Sequence, residues 1–547
     1  MKIRPGITGL GVAATATTLF ALAACGSSDD TPADVKTTQS LQSKVKNIVV
    51  IYAENHGFDN LYGHFPGANG IPTGTALAPQ TDRDAAGTVL TTLPQSWGGF
   101  TASGQTPVVT QAQSAGLANA PFQIETAFQS TLGITLPQSI ITNDMYHRFF
   151  ENQMQINGGK NDKFVAYADR GGLVMGYYDG SQMALYKLAQ QYVLADNFYQ
   201  GAFGGSFLNH QYLICACAPE YPNADTAAAK PTIAQLDLDS KGAFTHNLTI
   251  GATSKASAMD AAPVFALSGN IAPKNYFGDN TFRAVNTMQP PYQPSGNAPA
   301  TDDAAKLYAT TAAANTLPPQ SQTTIGDLLT AKKVDWVWYS GAWNSTLATA
   351  TGDRKFPPST VPGSVPNFQF HHQPFNYYQA FDPATHASDR TTHLKDYDDL
   401  VAAAAAGTLP SVAFYKPEGD LNQHPGYASL AAGDQHIADL VAKLQASPQW
   451  NNMVIVITYD ENGGAWDHAA PPKGDLIGPG TRIPAIIVSP IAKKGTVDHT
   501  QYDTASVLRL ITRRFGLDTL AGLKARDDAL KANGASTMGD LTNALSL

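Results

Sequence analysis

The sequence predicts an α/β fold in which a mainly parallel sheet is flanked by helices. Short β-branched runs alternate with stretches of helical spacing, which is the signature of β-α-β units. Two of those runs stop abruptly in oxygen-bearing side chains and glycine, as strands do when they meet a ligand crevice. The chain has 547 residues, enough for one large core with insertions or for two domains. With a formal net charge of -9, 14% charged residues and no basic cluster, nucleic acid is not expected as a partner.

In chain order, Met1-Lys2-Ile3-Arg4 precedes an apolar, small-residue stretch that ends at Ala24. This is the pattern of an export signal over residues 1–24, too short and too rich in Ala and Thr to span a bilayer. Leu22-Ala23-Ala24-Cys25 resembles the lipobox of bacterial lipoproteins, which implies acylation of Cys25. Gly26 in the next position favours the outer membrane over retention at the inner one. The expected location is therefore an outer-membrane lipoprotein or the periplasm of a Gram-negative bacterium, with a polar tether over 25–43. Residues 44–547 then form a single catalytic domain.

The first strand is Ile48-Val49-Val50-Ile51-Tyr52, followed by Ala53-Glu54-Asn55-His56-Gly57. Further strands are expected at Tyr192–Phe198, Val334–Tyr339, Val412–Tyr415, Met453–Thr458 and Ile483–Val488. Asp434–Gln445 carries Ile437, Leu440, Val441 and Leu444 on one helical face. Two stretches, 73–116 and 223–319, lack periodicity and read as insertions capping the sheet edge of the site or as partly flexible surface segments. Cys215 and Cys217, one residue apart, read as two small buried side chains in a helix, poorly placed to pair with each other.

The chemistry concentrates at the strand ends. Met453–Thr458 runs into Tyr459-Asp460-Glu461-Asn462-Gly463-Gly464, so Glu54, Asn55, Asp460 and Glu461 gather as oxygen ligands for a hard or borderline divalent cation. Ca, Mg, Mn, Zn and Fe all remain open. Between them lies Gly204-Gly205-Ser206, just before an apolar helix. Ser206 is either a helix N-cap or a nucleophile beside the positive helix end, and a cation would supply the activation that serine needs. His424 and His468 stand just beyond strand ends, His147 precedes the donor-rich turn Asn157–Phe164 and His371-His372 lies in Phe368–Pro374, whereas His64, His386, His393 and His499 read as exposed.

Glu54-Asn55 with Phe58-Asp59, Asn157-Gly158-Gly159, and Asp460-Glu461-Asn462-Gly463-Gly464 with Asp467-His468 and Pro471-Pro472 resemble the phosphoesterase family of bacterial phospholipases C and acid phosphatases. The resemblance covers roughly Val45 to Gly516. It implies an alkaline-phosphatase-like α/β fold and one divalent metal held by Glu54, Asn55, Ser206, Asp460 and Glu461. It places His147, His371, His372 and His424 around the phosphate, with Asn157, Asp467 and His468 behind them. Gly204-Gly205-Ser206, and a chain that ends soon after Phe515, look like the acid phosphatase branch. In place of the phospholipase pattern Glu-Asn-Arg-Ser-Phe-Asp the chain has Glu54-Asn55-His56-Gly57-Phe58-Asp59, so that arginine and serine have no counterpart.

The expected reaction is hydrolysis of phosphomonoesters through a phosphoseryl intermediate, with His424 or His372 protonating the leaving group. One rival is a phospholipase C acting on phosphodiester lipids beside its anchor, and another is a non-catalytic surface lipoprotein. No Cys-x-Pro-x-Arg segment of the sulfatase kind is present. The sequence leaves the oligomeric state open.

Overall fold

All seven residues of β1, Asn47–Ala53, are buried, and so are all seven of β6, Met453–Tyr459. Both faces of these strands are covered, which is why their sequences are continuously apolar instead of alternating. The computed structural model describes residues 32–73, 77–83, 87–238, 240–241, 244–248, 269–350 and 367–547. Its main sheet has eight strands: β1, β2 (Val193–Ala195), β3 (Trp336–Ser340), β4 (Leu394–Asp396), β5 (Val412–Lys416), β6, β7 (Ala485–Val488) and β8 (Thr496–Asp498). Their order across the sheet is β4-β3-β5-β1-β6-β7-β2-β8. Only β7 runs against its neighbours. The result is the predicted α/β class with a mainly parallel sheet.

Register decides where the site lies. β1 pairs with β6 from Asn47↔Met453 to Ala53↔Tyr459, so Glu54 and Asp460 leave the sheet side by side. On the other flank β1 pairs with β5 through Ile51↔Tyr415, which brings Lys416 level with Tyr52. Three strand ends thus open on one crevice.

Helices cover the sheet: α1 (Pro32–Lys44), α2 (Phe149–Ile156), α3 (Ser206–Cys215), α4 (Leu430–Gln445) and α5 (Ala505–Phe515) are the ones that matter here. Every residue of α3 is buried, and α3 packs against α5. α4 buries Ile437, Leu440, Val441 and Leu444, the face its spacing predicts. Among the described residues no helix is long and apolar enough to cross a membrane.

Several expectations change. The signal segment and Cys25 lie outside the described residues. The described part of the expected tether is not a loose linker, because α1 docks on α5. Leu41 is fully buried, Arg513 Nε donates to Thr38 Oγ1 at 2.9 Å, and Lys44 Nζ donates to Ser546 O at 2.9 Å. Its polar composition hid a helix with proline in its first turn. The run Tyr192–Phe198 is two strands, since the chain turns out of β2 at Asp196, whose carboxylate accepts from Asn69 N and His499 Nδ1. Cys215 and Cys217 are joined as a disulfide, with Cα atoms 5.1 Å apart. α3 ends at Cys215, and Ala216 takes a left-handed conformation (φ 50) that turns Cys217 back onto it.

Candidate active site

Ser206 is the first residue of α3, with Gly205 in the capping position, and it is 6% exposed. The turn before it leaves no room for side chains. Gly204 has φ +81, and a Cβ there would meet Phe149 N at 2.3 Å. Glycine supplies both the conformation and the close approach. Ser206 Oγ then faces the two strand ends, 3.3 Å from Asn55 Oδ1 and 3.4 Å from Glu461 Oε1.

Asn55 is held at φ 59, a conformation uncommon for a residue with a side chain and one that ends β1 sharply. Its amide nitrogen lies 2.7 Å from His424 Nε2. Asp460 uses one oxygen as a staple, accepting from Asn55 N at 3.2 Å and Glu461 N at 2.9 Å. Its other oxygen, Oδ2, has no hydrogen-bond partner among the described residues.

Glu54, Asp460 and Glu461 are all fully buried. Burial raises the Glu461 carboxyl to about 8 against the pull of His147, and it raises Asp460 as well. Burial also opposes the Glu54 charge, but His372 and Lys416 hold that carboxyl well below the usual range. Lys416 Nζ is 2.8 Å from Glu54 Oε1, His372 Nε2 contacts the same oxygen, and Tyr427 donates to Oε2 at 3.1 Å. Burial pushes His372 down to about 4. Burial also opposes the charge of His147, but Glu461, 3.7 Å away, and Asp144 raise it to about 9.

A cation fits this donor set. Packing carboxylates, an amide oxygen and a hydroxyl this closely is costly without positive charge between them, and Asp460 Oδ2 has no hydrogen-bond partner among the described residues, with Lys416 Nζ 3.6 Å away. Asn55, Ser206, Asp460 and Glu461 can hold one divalent ion, with Glu54 adjoining. Above them a cavity of about 270 Å³ is lined by Ser206, His147, His371, His424, Arg148 and Arg170, among others.

The model of the phosphoesterase family matches residues 45–518. The chain belongs to the phosphoesterase family. Its curated relatives include non-specific phospholipase C6 of Arabidopsis thaliana, 32% identical over 21% of this chain and 28% of that protein. Phospholipase C B of Mycobacterium tuberculosis is 29% identical over 26% and 31%, and the non-hemolytic phospholipase C of Pseudomonas aeruginosa 28% over 22% and 22%. The matched stretches thus span under a third of these relatives' lengths. Among solved structures, the phosphoesterase is similar to PsFucS1 sulfatase from Pseudoalteromonas sp., with a TM-score of 0.34 and 11% identity over 94% of this chain and 80% of that one. A protein in the alkaline phosphatase superfamily from Vibrio parahaemolyticus gives 0.28 and 10% over 72% of each chain. At scores this low the likeness carries no argument.

Within the phosphoesterase, Asn55, Ser206, Asp460 and Glu461 meet at the two strand ends, whereas Glu54 faces Lys416, His372 and Tyr427 beside them; His147, His371 and His424 line the cavity. His372 does not line it; it lies behind, against Glu54 and stacked on His210. Asp467 and His468 stand one layer back. Arg482, fully buried, pairs with Asp59 at 2.9 Å and with both Asp467 oxygens at 3.2 Å, while His468 Nδ1 lies 2.7 Å from Asp59 Oδ2. This clamp ties the loop after β1 to the loop after β6.

Asn157 is elsewhere, capping α2 and donating to Asp162 Oδ1 at 2.8 Å. Its neighbour Asn161 is the one that braces the site loop, donating to Asp467 O and Ala469 O. Sequence reasoning passed over Lys416, although it ends β5 just as Glu54 follows β1. It also passed over His210, one helical turn after Ser206, whose Nδ1 donates to Ser206 O at 2.8 Å.

Proposed function

We propose that this phosphoesterase is a metal-dependent acid phosphatase that hydrolyses small polar phosphomonoesters through a phosphoseryl intermediate. The observation that carries the reading is Ser206 Oγ at a buried helix N-terminus, between Asn55 Oδ1 and Glu461 Oε1, on the floor of a cavity of about 270 Å³. That volume, walled partly by Asp144, Asp169, Asn286 and Gln369, suits a compact polar leaving group better than a pair of acyl chains.

A bound divalent cation would supply the positive charge that lets the Ser206 hydroxyl ionise and that draws in a phosphoryl oxygen. Ser206 Oγ attacks phosphorus as the bond to the leaving oxygen breaks. First-turn amides of α3 face the charge that develops. The geometry supports His147 as proton donor over His424, whose Nε2 is taken by Asn55, and over His372, which is behind the cavity. His147 Nε2 gives its proton to the leaving alkoxide and takes one from the water that cleaves the phosphoserine. Raised to about 9, His147 is an imidazolium through the acid and neutral range, where it can both pair with phosphate and donate a proton.

Phospholipase C activity is the second reading, supported by the names of the relatives. Rates on p-nitrophenyl phosphate and p-nitrophenyl phosphorylcholine separate the two. Ser206→Ala is expected to lose at least about 10³-fold in kcat on the preferred ester; near-normal turnover by that variant sinks the reading. Anchoring through Cys25, and with it an outer-membrane or periplasmic location, belongs to the same proposal and is tested by labelling cells with a radioactive fatty acid.

A further inference from the structure

Behind the Ser206 cavity lies a second set of ligand-type groups that the reaction above leaves without a task. Glu54, His210 and His372 each offer a donor atom within 4.8 Å of the others, and their exposures are 0%, 0% and 1%. His210 Nδ1 donates to Ser206 O, which leaves the Nε2 lone pair bare; Nε2 has no hydrogen-bond partner among the described residues, and neither has His372 Nδ1. The two imidazoles stack at 5.3 Å and 15°. A histidine fixed through one nitrogen to a carbonyl and bare at the other is how proteins present metal ligands. His210 is held in this way, and with His372 Nε2 against Glu54 Oε1 the two rings and the carboxylate make a cation pocket.

The pocket already faces a cation. Lys416 Nζ stands 2.8 Å from Glu54 Oε1 and 3.6 Å from Asp460 Oδ2, donates to Ala53 O at 3.4 Å, and is fully buried. We propose that Lys416 is a built-in counter-ion that takes the place of a second metal among Glu54, His210, His372 and Asp460, and so limits the centre to one divalent ion. Position supports this: Nζ lies within 3.6 Å of both Glu54 Oε1 and Asp460 Oδ2, where a second ion bridging the two carboxylates would sit. The inference rests on the metal-site part of the reading above and is independent of which ester is cleaved.

The test counts Zn²⁺ bound to the purified full chain, by isothermal titration and by elemental analysis after gel filtration. Wild type is expected to hold one equivalent and Lys416→Met two. Wild type holding two, or Lys416→Met holding one, overturns the proposal. Should Lys416→Met need metal to fold, the count is made after refolding with Zn²⁺; a variant that stays unfolded at saturating Zn²⁺ also overturns it, because the ion is meant to replace the ammonium. Absence of Zn²⁺ from wild type would instead overturn the metal-site reading itself, a separate result.

Discussion

Asn55 Nδ2 lies 2.7 Å from His424 Nε2, while Oδ1 of the same amide accepts from Ser206 Oγ at 3.3 Å. His424 is itself fixed, with Nδ1 2.5 Å from Pro425 O and its ring stacked on Tyr427 at 4.4 Å. The protonated Nδ1 makes Nε2 an acceptor, so only the amide NH₂ can face it. The histidine thereby sets which end of Asn55 the serine sees.

His424→Ala removes that constraint and lets the amide turn. A loss of about 10- to 100-fold in kcat is expected, the range for supports of a metal ligand, and His424→Gln, which can still accept through its side-chain oxygen, is expected to recover part of it. Steady-state kinetics at saturating metal read both variants.

Arg482→Met leaves Asp59 and Asp467 buried without their cation. Burial already raises the Asp467 carboxyl to about 6 even with Arg482 beside it. Breaking a buried pair from one side costs about 3–5 kcal/mol, so a fall of that size in denaturant-unfolding free energy is expected. Arg482→Lys is expected to rescue only in part, because an ammonium cannot reach Asp59, Asp467 and the carbonyls of Asn69 and Asp196 together.

His436, away from the site, is one of the buried histidines on which acid stability depends. Burial lowers this histidine to about 4, and Tyr415 OH meets its Nε2 at 2.7 Å. Between an unfolded value near 6.5 and the folded value the unfolded chain binds the extra proton, so stability contributed above 6.5 drains away as pH falls toward 4. The full loss is about 3 kcal/mol. His436→Gln is expected to flatten the melting-temperature profile across that window; an unchanged slope refutes the assignment.

Stripping the metal is expected to abolish turnover and to lower the melting temperature, since Asp460 and Glu461 are then adjacent buried carboxylates with less charge to oppose them. Restoring the ion to 100 times its dissociation constant should return about 2.7 kcal/mol. Calorimetry before and after chelation, paired with an ester assay, checks both.

The strand ends were legible because β-branched runs that stop in Glu54-Asn55 and Asp460-Glu461 carry their position in one dimension. Ser206 was legible from its glycines for the same reason. Lys416 carried the same strand-end signal, but an ammonium is not a metal ligand and so does not stand out in a set of oxygen donors. His372 lies behind the cavity and Asn157 caps α2 away from it; sequence spacing cannot say which side of a short helical turn faces the cavity. The Cys215–Cys217 link depends on the left-handed Ala216, which no residue preference announces.

The register of β1 also sets an order of events. Its neighbours are β5 and β6, so Ile48 waits unpaired for Val412 and Val454, and Glu54 has no Asp460 beside it until the last third of the chain has been made. The central strand is the first to emerge from the ribosome and among the last to find its place. A nascent or truncated chain therefore has no functioning centre, and the apolar β1 segment is the stretch that a holding chaperone has most reason to cover.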